Sequence, residues 1–446
     1  MKFIRITAFF LVALGFVLNE RLFALLFTTD GQIESAMFQK AIRGLQAILV
    51  LGGIGLALAG RFAGPDRTRR AAARIAALIM GLALSLLLAE GLVRVLMPTP
   101  FALSEVTRFL EYHERLGQVF IPGKTAMHTV RFESRNNVTI NSHGMRNPEV
   151  PLKKPAGTKR IALLGDSFAS NLPVPQADVF TEVMDRLLPE DWEILNFGVD
   201  GYTTLQEWMQ FGETVAAFEP DAVMVLFYLR NDLEDNVGYS GIPNYRPLAR
   251  LAPPDGRLEV YNVPCPVPPQ MQETEEKRPF LLITDFHLYN LIRKVLFVRE
   301  HVLVNAYPEI PLFNTQIPAK SAYAWKLFES ILGAFKKDCD QKNVPVILVN
   351  APTILQVYEE EYWKTVRESR NLQGEFDLEL PSRKLADICL QLGIPFIDLL
   401  PGLKQRADEG EILYFRIFQH WNVLGNRRVG EILADYAREH WGLSPE

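Results

Sequence analysis

"RIALLGDSFAS", residues 160–170, is the stretch that decides the fold, because an apolar run ends there abruptly in polar turn residues. A segment with helical spacing, "VFTEVMDRLL", comes next, and it is followed by two more apolar runs, "WEILNFGV" and "DAVMVLFYL". "VPVILVNAP" and "IPFIDLL" repeat the pattern later, and "NVLGNRRVGEILADYAREHW" predicts a closing helix. Near-continuous apolar runs that alternate with amphipathic helices are typical of a parallel sheet covered on both faces. The sequence therefore predicts a doubly wound α/β domain.

Four polar segments stand where the chain would leave the strands of this sheet. "GDSFAS", "NFGVDGYTT" and "LRNDLEDN" each follow an apolar run, and "FQHWN" precedes the last helix. In open α/β sheets ligands bind beyond the carboxyl ends of the strands, so Ser167, Gly201, Asn231 and His420 are predicted to meet there. A hydroxyl nucleophile, donors for an oxyanion and a base are the set that acyl transfer needs.

Each of these residues also has a structural reading when it is taken alone. Gly-Asp-Ser is ordinary turn chemistry, and Gly201 would permit a positive φ at a turn. Asn231 would cap the following turn, and a lone histidine is more often packed than catalytic. "GDSFA" lacks the second glycine of G-x-S-x-G, which argues against the nucleophile elbow of α/β-hydrolases. The order of the four residues after successive strands favours the catalytic reading.

The order and surroundings of the four segments resemble the SGNH, or GDSL, hydrolase family, in particular its membrane-anchored bacterial members. The resemblance covers roughly residues 140–236 and 410–440. It implies a flavodoxin-like three-layer domain and serine ester chemistry. By position it implies Ser167 as the nucleophile, with its own N–H in the oxyanion hole. It implies a second N–H from Gly201, a side-chain donor from Asn231, and His420 as the base.

The chain departs from the family at the acid that usually orients the histidine. The family places an Asp three residues before it, and a branch similar to the enzymes that acetylate alginate has Asp-x-His-Trp, but Ile417 and Phe418 stand here. "HWN" and Gly425 are kept. Either a non-standard acid or a backbone carbonyl orients His420, or catalysis is weakened or lost. The candidate acids are Asp408, Glu409 and Glu411 upstream, and Asp200, Asp232 and Asp235 at the same end of the sheet. Phe418 would lower the polarity around the imidazole and keep it neutral, which suits a base.

The N-terminal region carries three uncharged apolar segments, Ile6–Leu18, Gly44–Gly60 and Ile75–Ala89. With their flanks each approaches the roughly 20 residues that cross a bilayer, so about three transmembrane helices are predicted. The loop "RFAGPDRTRR" is rich in arginine and is therefore predicted to be cytoplasmic. We expect a multi-pass protein of the inner membrane whose C-terminal domain is extracytoplasmic, in the periplasm.

The predicted organisation has three parts: a transmembrane region at 1–98, a lead-in segment at 99–155, and an SGNH hydrolase-like domain at 156–446. An irregular, proline-rich insertion is expected at about 238–318 within the last part. The whole chain of 446 residues has a net charge of −5. Its acidic excess lies beyond residue 98, which argues against a nucleic-acid partner.

Cofactors and disulfides have little support in the sequence. It shows no C-x-x-C, no His/Cys cluster with metal spacing and no phosphate loop, so neither a metal nor a cofactor is expected. Three cysteines, Cys265, Cys339 and Cys389, are too few for a disulfide scaffold and leave one bridge or free thiols open.

The sequence alone leaves two hypotheses for the function of this protein. The first is an extracytoplasmic serine esterase or O-acyltransferase that acts on an acylated envelope glycan or lipid. The second, motivated by the missing acid, is a weakly active or inactive glycan-binding or assembly protein with the same fold. The oligomeric state is not predicted.

Overall fold

The computed structural model describes residues 2–17, 19, 36–62, 70–71, 74–75, 85–86, 88–93, 109–130, 133–238, 245–268, 288–289, 291 and 307–440. The chain divides into two compact units. The first comprises Met1–Ala102 and Lys277–Leu296, and the second comprises Leu103–Glu276 and Phe297–Glu446.

In the described part of the first unit, the helices α1 (Lys2–Val17) and α2 (Ala36–Phe62) pack against each other. Gly53 permits their close approach, because a Cβ at this position would lie 2.8 Å from the carbonyl oxygen of Ala8.

None of the helices within the described ranges combines the length and the apolar character that crossing a membrane requires. The first two predicted spans fall largely on α1 and α2. The third, Ile75–Ala89, lies mostly outside the described residues. The three membrane helices stay a prediction.

The second unit holds the sheet and the site. Its strands are β1 (Leu110–His113), β2 (Gly117–Phe120), β3 (Thr125–Val130), β4 (Ser134–Thr139), β5 (Lys159–Gly165), β6 (Trp192–Asn196), β7 (Ala222–Tyr228), β8 (Leu248–Ala252), β9 (Arg257–Tyr261), β10 (Val346–Ala351) and β11 (Phe396–Asp398). Its α-helices are α3 (Ser167–Ser170), α4 (Phe180–Leu187), α5 (Thr204–Glu213), α6 (Leu229–Glu234), α7 (Ala319–Asp340), α8 (Ile354–Val357), α9 (Lys364–Ser369), α10 (Leu380–Leu392), α11 (Leu400–Asp408) and α12 (Val423–His440). Short 3₁₀ turns lie at Gln176–Asp178, Val215–Phe218, Asp235–Val237 and Ile310–Phe313, and a π-helical turn lies at Glu359–Trp363.

Five strands form one parallel sheet in the order β11–β10–β7–β5–β6. They coincide with the five apolar runs of the sequence, so the predicted parallel α/β sheet is confirmed. Every residue of β7 is buried although successive side chains point to opposite faces. Both faces of the sheet are therefore covered, which explains why its strands read as continuous apolar runs.

The strand order reverses its direction at β5. After β5 the chain pairs β6 on one side and then crosses to β7 on the other side. Such a reversal of direction opens a ligand-binding crevice beyond the carboxyl ends of the strands. Ser167 follows β5 and Asn231 follows β7, so both residues leave the sheet at this point.

Three antiparallel hairpins surround the sheet: β1–β2, β3–β4 and β8–β9. The last of them lies in the segment that the sequence predicted as an irregular insertion. Its turn is built from Pro253, Pro254, Asp255 and Gly256, and this Pro/Gly turn signal between two short runs is typical of a hairpin. The many prolines nearby obscured the pattern. Cys265, Cys339 and Cys389 are all free and buried, so the bridge left open by the sequence is not formed.

A glycine of the "NFGVDG" segment lets β6 approach the short helix α3. A Cβ on Gly198 would lie 2.3 Å from the Cβ of Ala169 and 2.8 Å from the backbone nitrogen of Ser170. Both distances are below van der Waals contact, and one of the partners is backbone. Gly198 therefore sets how closely α3 sits against the sheet.

We predict that Gly198→Ala destabilises the protein by about 1–3 kcal/mol, because the added methyl group forces the backbone of α3 outward. Gly212→Ala is the matched control, since its Cβ would meet nothing within 4 Å on helix α5. That variant should stabilise the protein by about 0.5–1 kcal/mol. Urea unfolding measures both, and equal stabilities for the two variants would contradict the packing argument.

Candidate active site

Helix α3 presents Ser167 directly beyond the end of β5. Asp166 caps the helix, with its side chain accepting a hydrogen bond from the N–H of Phe168 at 2.8 Å. Asn171 ends the helix in the left-handed conformation, at φ 37°. Ser167 itself is half-buried at the start of the helix, so its hydroxyl stays accessible while its neighbours are buried.

The structure brings Ser167 and His420 together. The Oγ of Ser167 lies 2.7 Å from the Nε2 of His420. The Nδ1 of His420 lies 2.8 Å from the carbonyl oxygen of Phe418. A carbonyl oxygen can only accept, so Nδ1 carries the proton and Nε2 is the acceptor for the serine hydroxyl. This is the tautomer that a general base requires.

Two phenyl rings stack on the imidazole of His420 and restrict its orientation. Phe168 stacks on it at a centroid distance of 4.4 Å and an angle of 19°, and Phe418 stacks at 4.1 Å and 21°. Burial lowers the pKa of His420 to about 4, although the hydrogen bond to Phe418 favours the proton. The positive charge of Arg230 also lowers this pKa. The imidazole is therefore neutral at physiological pH.

None of the acids named from the sequence forms a hydrogen bond to His420 within the described residues. Glu411 binds Arg428, Glu409 binds Gln405 and Arg406, Asp200 accepts from Ser170, Asp232 accepts from Thr204 and from the N–H of Tyr228, and Asp235 pairs with Arg246. The carbonyl of Phe418 takes the place of an orienting acid.

Gly201 adopts the conformation that the sequence suggested, with a φ of 75°. Its carbonyl accepts from Arg246 at 3.1 Å. The N–H of Gly201 and the N–H of Ser167 have no hydrogen-bond partner in the described part of the chain. The preceding residue, Asp200, accepts from Ser170 of the helix that carries Ser167, which ties the Gly201 turn to that helix.

Asn231 also joins this cluster. It is half-buried at the start of α6, and its side-chain amide donates to the carboxyl of Asp166, the neighbour of Ser167. The structure therefore places the turn before α3 and the end of β7 in direct contact. Asn231 retains a second N–H on the same amide, because an NH₂ group carries two donors.

Three fully buried acids, Asp166, Glu207 and Asp232, lie close to one another, and Asn231 donates a hydrogen bond to the first of them. Burial raises the pKa of Asp166 well above its usual range, and the nearby charge of Asp232 adds to this. Burial likewise raises the pKa of Glu207 well above its usual range and that of Asp232 to about 7. Both carboxyl oxygens of Glu207 lack a hydrogen-bond partner among the described residues. The carboxyl groups of this cluster therefore favour their protonated forms.

Sequence reasoning missed the residues that hold the segment after α3. Arg146 is fully buried, and its guanidinium donates to the carbonyls of Ser170, Asn171 and Val174. Burial lowers the pKa of Arg146 to about 9, so it remains charged at neutral pH. Asn136 of β4 donates to the carbonyl of Val174 at 2.7 Å and to that of Leu172 at 3.1 Å. The only signal in the sequence was an arginine within the turn "NSHGMRNPEV".

No family model and no curated protein matches the chain. Similar solved structures include a putative lipolytic protein of the G-D-S-L family from Desulfitobacterium hafniense, with 12% identity, 62% of this chain and 99% of that chain covered, and a TM-score of 0.32. A lipase/acylhydrolase from Enterococcus faecalis has 12% identity, 65% and 99% coverage and a TM-score of 0.33. An acetyl xylan esterase has 13% identity, 62% and 98% coverage and a TM-score of 0.32. At such TM-scores these neighbours carry no argument for this chain, and the chemistry of the site rests on its own geometry.

The buried acids predict a pH-dependent stability. Because the folded state keeps Glu207 protonated where the unfolded chain ionises it, stability should fall as the pH rises above the usual glutamate pKa. Each proton contributes up to about 1.4 kcal/mol per pH unit. Glu207→Gln should therefore flatten the decline between pH 5 and pH 8, as measured by urea unfolding.

The control for this prediction is Glu190→Gln, because Glu190 is exposed on a loop. It should keep the pH dependence of the wild type. An identical slope in Glu207→Gln and wild type would show that Glu207 ionises freely in the folded state.

Proposed function

We propose that this chain is a serine ester hydrolase or O-acyltransferase of SGNH type, with Ser167 as nucleophile and His420 as base. The observation that carries the proposal is the pair of contacts to the imidazole: Ser167 Oγ at 2.7 Å from Nε2, and the Phe418 carbonyl at 2.8 Å from Nδ1. Together they supply an accessible hydroxyl with a correctly protonated base beside it.

The reaction begins when the Oγ of Ser167 attacks the carbonyl carbon of an ester and its proton passes to the Nε2 of His420. The N–H groups of Ser167 and Gly201 and the amide of Asn231 are the donors for the oxyanion. His420 then gives the proton to the leaving alcohol, and an acyl-enzyme remains on Ser167. Water or a second hydroxyl, deprotonated by His420, attacks this ester and releases Ser167. Water gives a hydrolase, and a sugar hydroxyl gives a transferase.

The imidazolium that forms during the reaction has no carboxylate beside it. Its charge is stabilised by the Phe418 carbonyl and by the faces of Phe168 and Phe418, where a cation–π contact is worth about 0.5–2 kcal/mol. Loss of the acid from a serine protease triad costs on the order of 10⁴ in kcat because the tautomer is wrong. Here the carbonyl keeps the tautomer, but a pKa of about 4 makes a weak base. We therefore propose slow turnover.

The substrate class is an acylated glycan or lipid of the cell envelope. This part of the proposal rests on the apolar N-terminal segments and the arginine-rich loop between them. They favour a multi-pass anchor in the inner membrane and a catalytic unit on the periplasmic side. The second candidate is a glycan-binding or assembly protein of the same fold, which the lack of a carboxylate at His420 favours.

We predict that the full-length chain releases p-nitrophenol from p-nitrophenyl acetate and that Ser167→Ala lowers this rate to background, because the attacking oxygen is removed. A fluorophosphonate should label Ser167 in the wild type. Ser330→Ala is the control, because Ser330 lies in the middle of α7 with its hydroxyl bonded to the carbonyl of Lys326, and it should keep both the turnover and the labelling. Folded wild-type protein with neither turnover nor labelling would favour the binding protein.

We also predict the position of the acid limb of kcat/KM. Because the pKa of His420 is lowered to about 4, the neutral base persists until the pH falls through about 4. Arg230→Gln removes a positive charge that lowers this pKa. In this variant kcat/KM should therefore begin to fall at a higher pH than in the wild type. Initial rates between pH 3 and pH 8 measure both. A wild-type limb near the ordinary histidine value of about 6.5 would contradict the desolvated imidazole.

A further inference from the structure

The loop before His420 is a closed turn. Tyr414 and Trp421 form an antiparallel bridge, and the N–H of Phe415 donates to the carbonyl of His420 at 2.8 Å. Inside the turn, the N–H of Gln419 donates to the carbonyl of Phe415 at 3.0 Å. These bonds define the turn as residues 415–420.

The turn aims a carbonyl at the imidazole through an unusual backbone conformation. Gln419 has a φ of 59°, in the left-handed region that is uncommon for a residue with a side chain. This conformation turns the carbonyl of Phe418 toward the Nδ1 of His420. Strained conformations of this kind persist only where the surrounding structure holds them. Some contact must therefore hold the turn in place.

The side chain of Gln419 donates to the hydroxyl of Tyr307 at 3.0 Å. Glu133 of the lead-in segment supplies two further contacts. It precedes β4, and its two carboxylate oxygens each accept one backbone hydrogen bond from the turn. Oε1 accepts from the N–H of Ile417 at 2.8 Å, and Oε2 accepts from the N–H of Phe418 at 2.8 Å. Hydrogen bonds to an ionised acceptor are about twice as strong as neutral ones. Successive N–H groups of a turn form a concave anion-binding site, which fits a carboxylate.

The same hairpin also holds the nucleophile. Asn136, on the strand that follows Glu133, donates to the carbonyls of Leu172 and Val174 just beyond α3. Strands β3 and β4 pair continuously from Thr125↔Thr139 to Val130↔Ser134, so Asn136 and the residue before β4, Glu133, belong to one strand of the same ladder and its immediate flank. One hairpin thus contacts both the segment after Ser167 and the turn before His420.

We infer that Glu133 is a positioning residue for His420, an inference that rests on the proposed function of the site. Its carboxylate fixes the turn, the turn fixes the Phe418 carbonyl, and the carbonyl fixes the tautomer and direction of the imidazole. The family pattern would put an acid against the ring. In this chain Glu133, which lies 287 positions before His420, hydrogen-bonds instead to the backbone of the turn that precedes the ring.

Kinetics of the full-length protein test the inference. Glu133→Gln should lower kcat for p-nitrophenyl acetate at least about tenfold with little change in KM, because a misplaced base slows the chemical step. Labelling of Ser167 by a fluorophosphonate should slow by the same factor. Glu133→Asp keeps the charge and should lose less. If Glu133→Gln does not fold, Glu133→Asp still tests the inference.

The matched control is Glu149→Gln. Glu149 lies in the same lead-in segment, and its carboxylate also accepts two bonds, from the N–H and the Oγ of Ser142. Among the described residues no hydrogen bond joins Glu149 to the turn at 415–420, so kcat and labelling should stay at the wild-type level. A general weakening of the lead-in segment would affect both glutamate variants alike and would overturn the inference.

A second readout does not depend on turnover. In protein labelled with ¹⁵N-histidine, the Nδ1–H of His420 should give a slowly exchanging downfield proton signal, assigned by its absence in His420→Gln. Glu133→Gln should lose this signal and Glu149→Gln should keep it. Wild-type kcat or an unchanged signal in Glu133→Gln would overturn the inference. An inactive, unlabelled wild type would refute the proposed function, and the signal would still test the role of Glu133.

Discussion

The position of Ser167 depends on carbonyl groups that must find donors outside their own helix. The last four carbonyls of any α-helix lack partners within it, and α3 has only four residues. Asn196 donates to the carbonyl of Ala169, and Arg146 donates to those of Ser170 and Asn171. A buried guanidinium that met no acceptors would be costly, so these bonds hold both the arginine and the helix. The nucleophile is fixed by polar groups from β6 and from the lead-in segment rather than by its own secondary structure.

The fold was predictable because its signals are local. Strands buried on both faces have to be largely apolar, and the central strand β7 shows this along its whole length in the sequence. Ser167 was predictable for a related reason, since a parallel sheet collects the residues after its strands at one edge. His420 precedes α12 and does not follow a strand, so its predicted role depended on the family resemblance.

The residues around this pair were not predictable in the same way. The contacts of Arg146 with the α3 segment and of Glu133 with the turn at 417–418 join parts of the chain that have no local pattern in common. The β8–β9 hairpin was read as irregular because prolines masked its alternation. The sequence allowed a backbone carbonyl to orient His420 but could not indicate which one, because every residue has a carbonyl. Of the two alternatives for orienting His420, the structure shows the backbone carbonyl and none of the candidate acids, and Phe418 contributes through its backbone and its ring together.

The use of a main-chain carbonyl to direct the imidazole has a consequence for how such proteins vary. A carboxylate partner is lost by one codon change, whereas no substitution at Phe418 deletes its carbonyl. Natural substitutions at Gln419, or at Glu133, which binds the turn through two hydrogen bonds, can change the conformation of the turn. Descendants of this chain can therefore drift at positions 417 and 418 without leaving a recognisable acid motif. Searches that require a three-residue catalytic signature will pass over them.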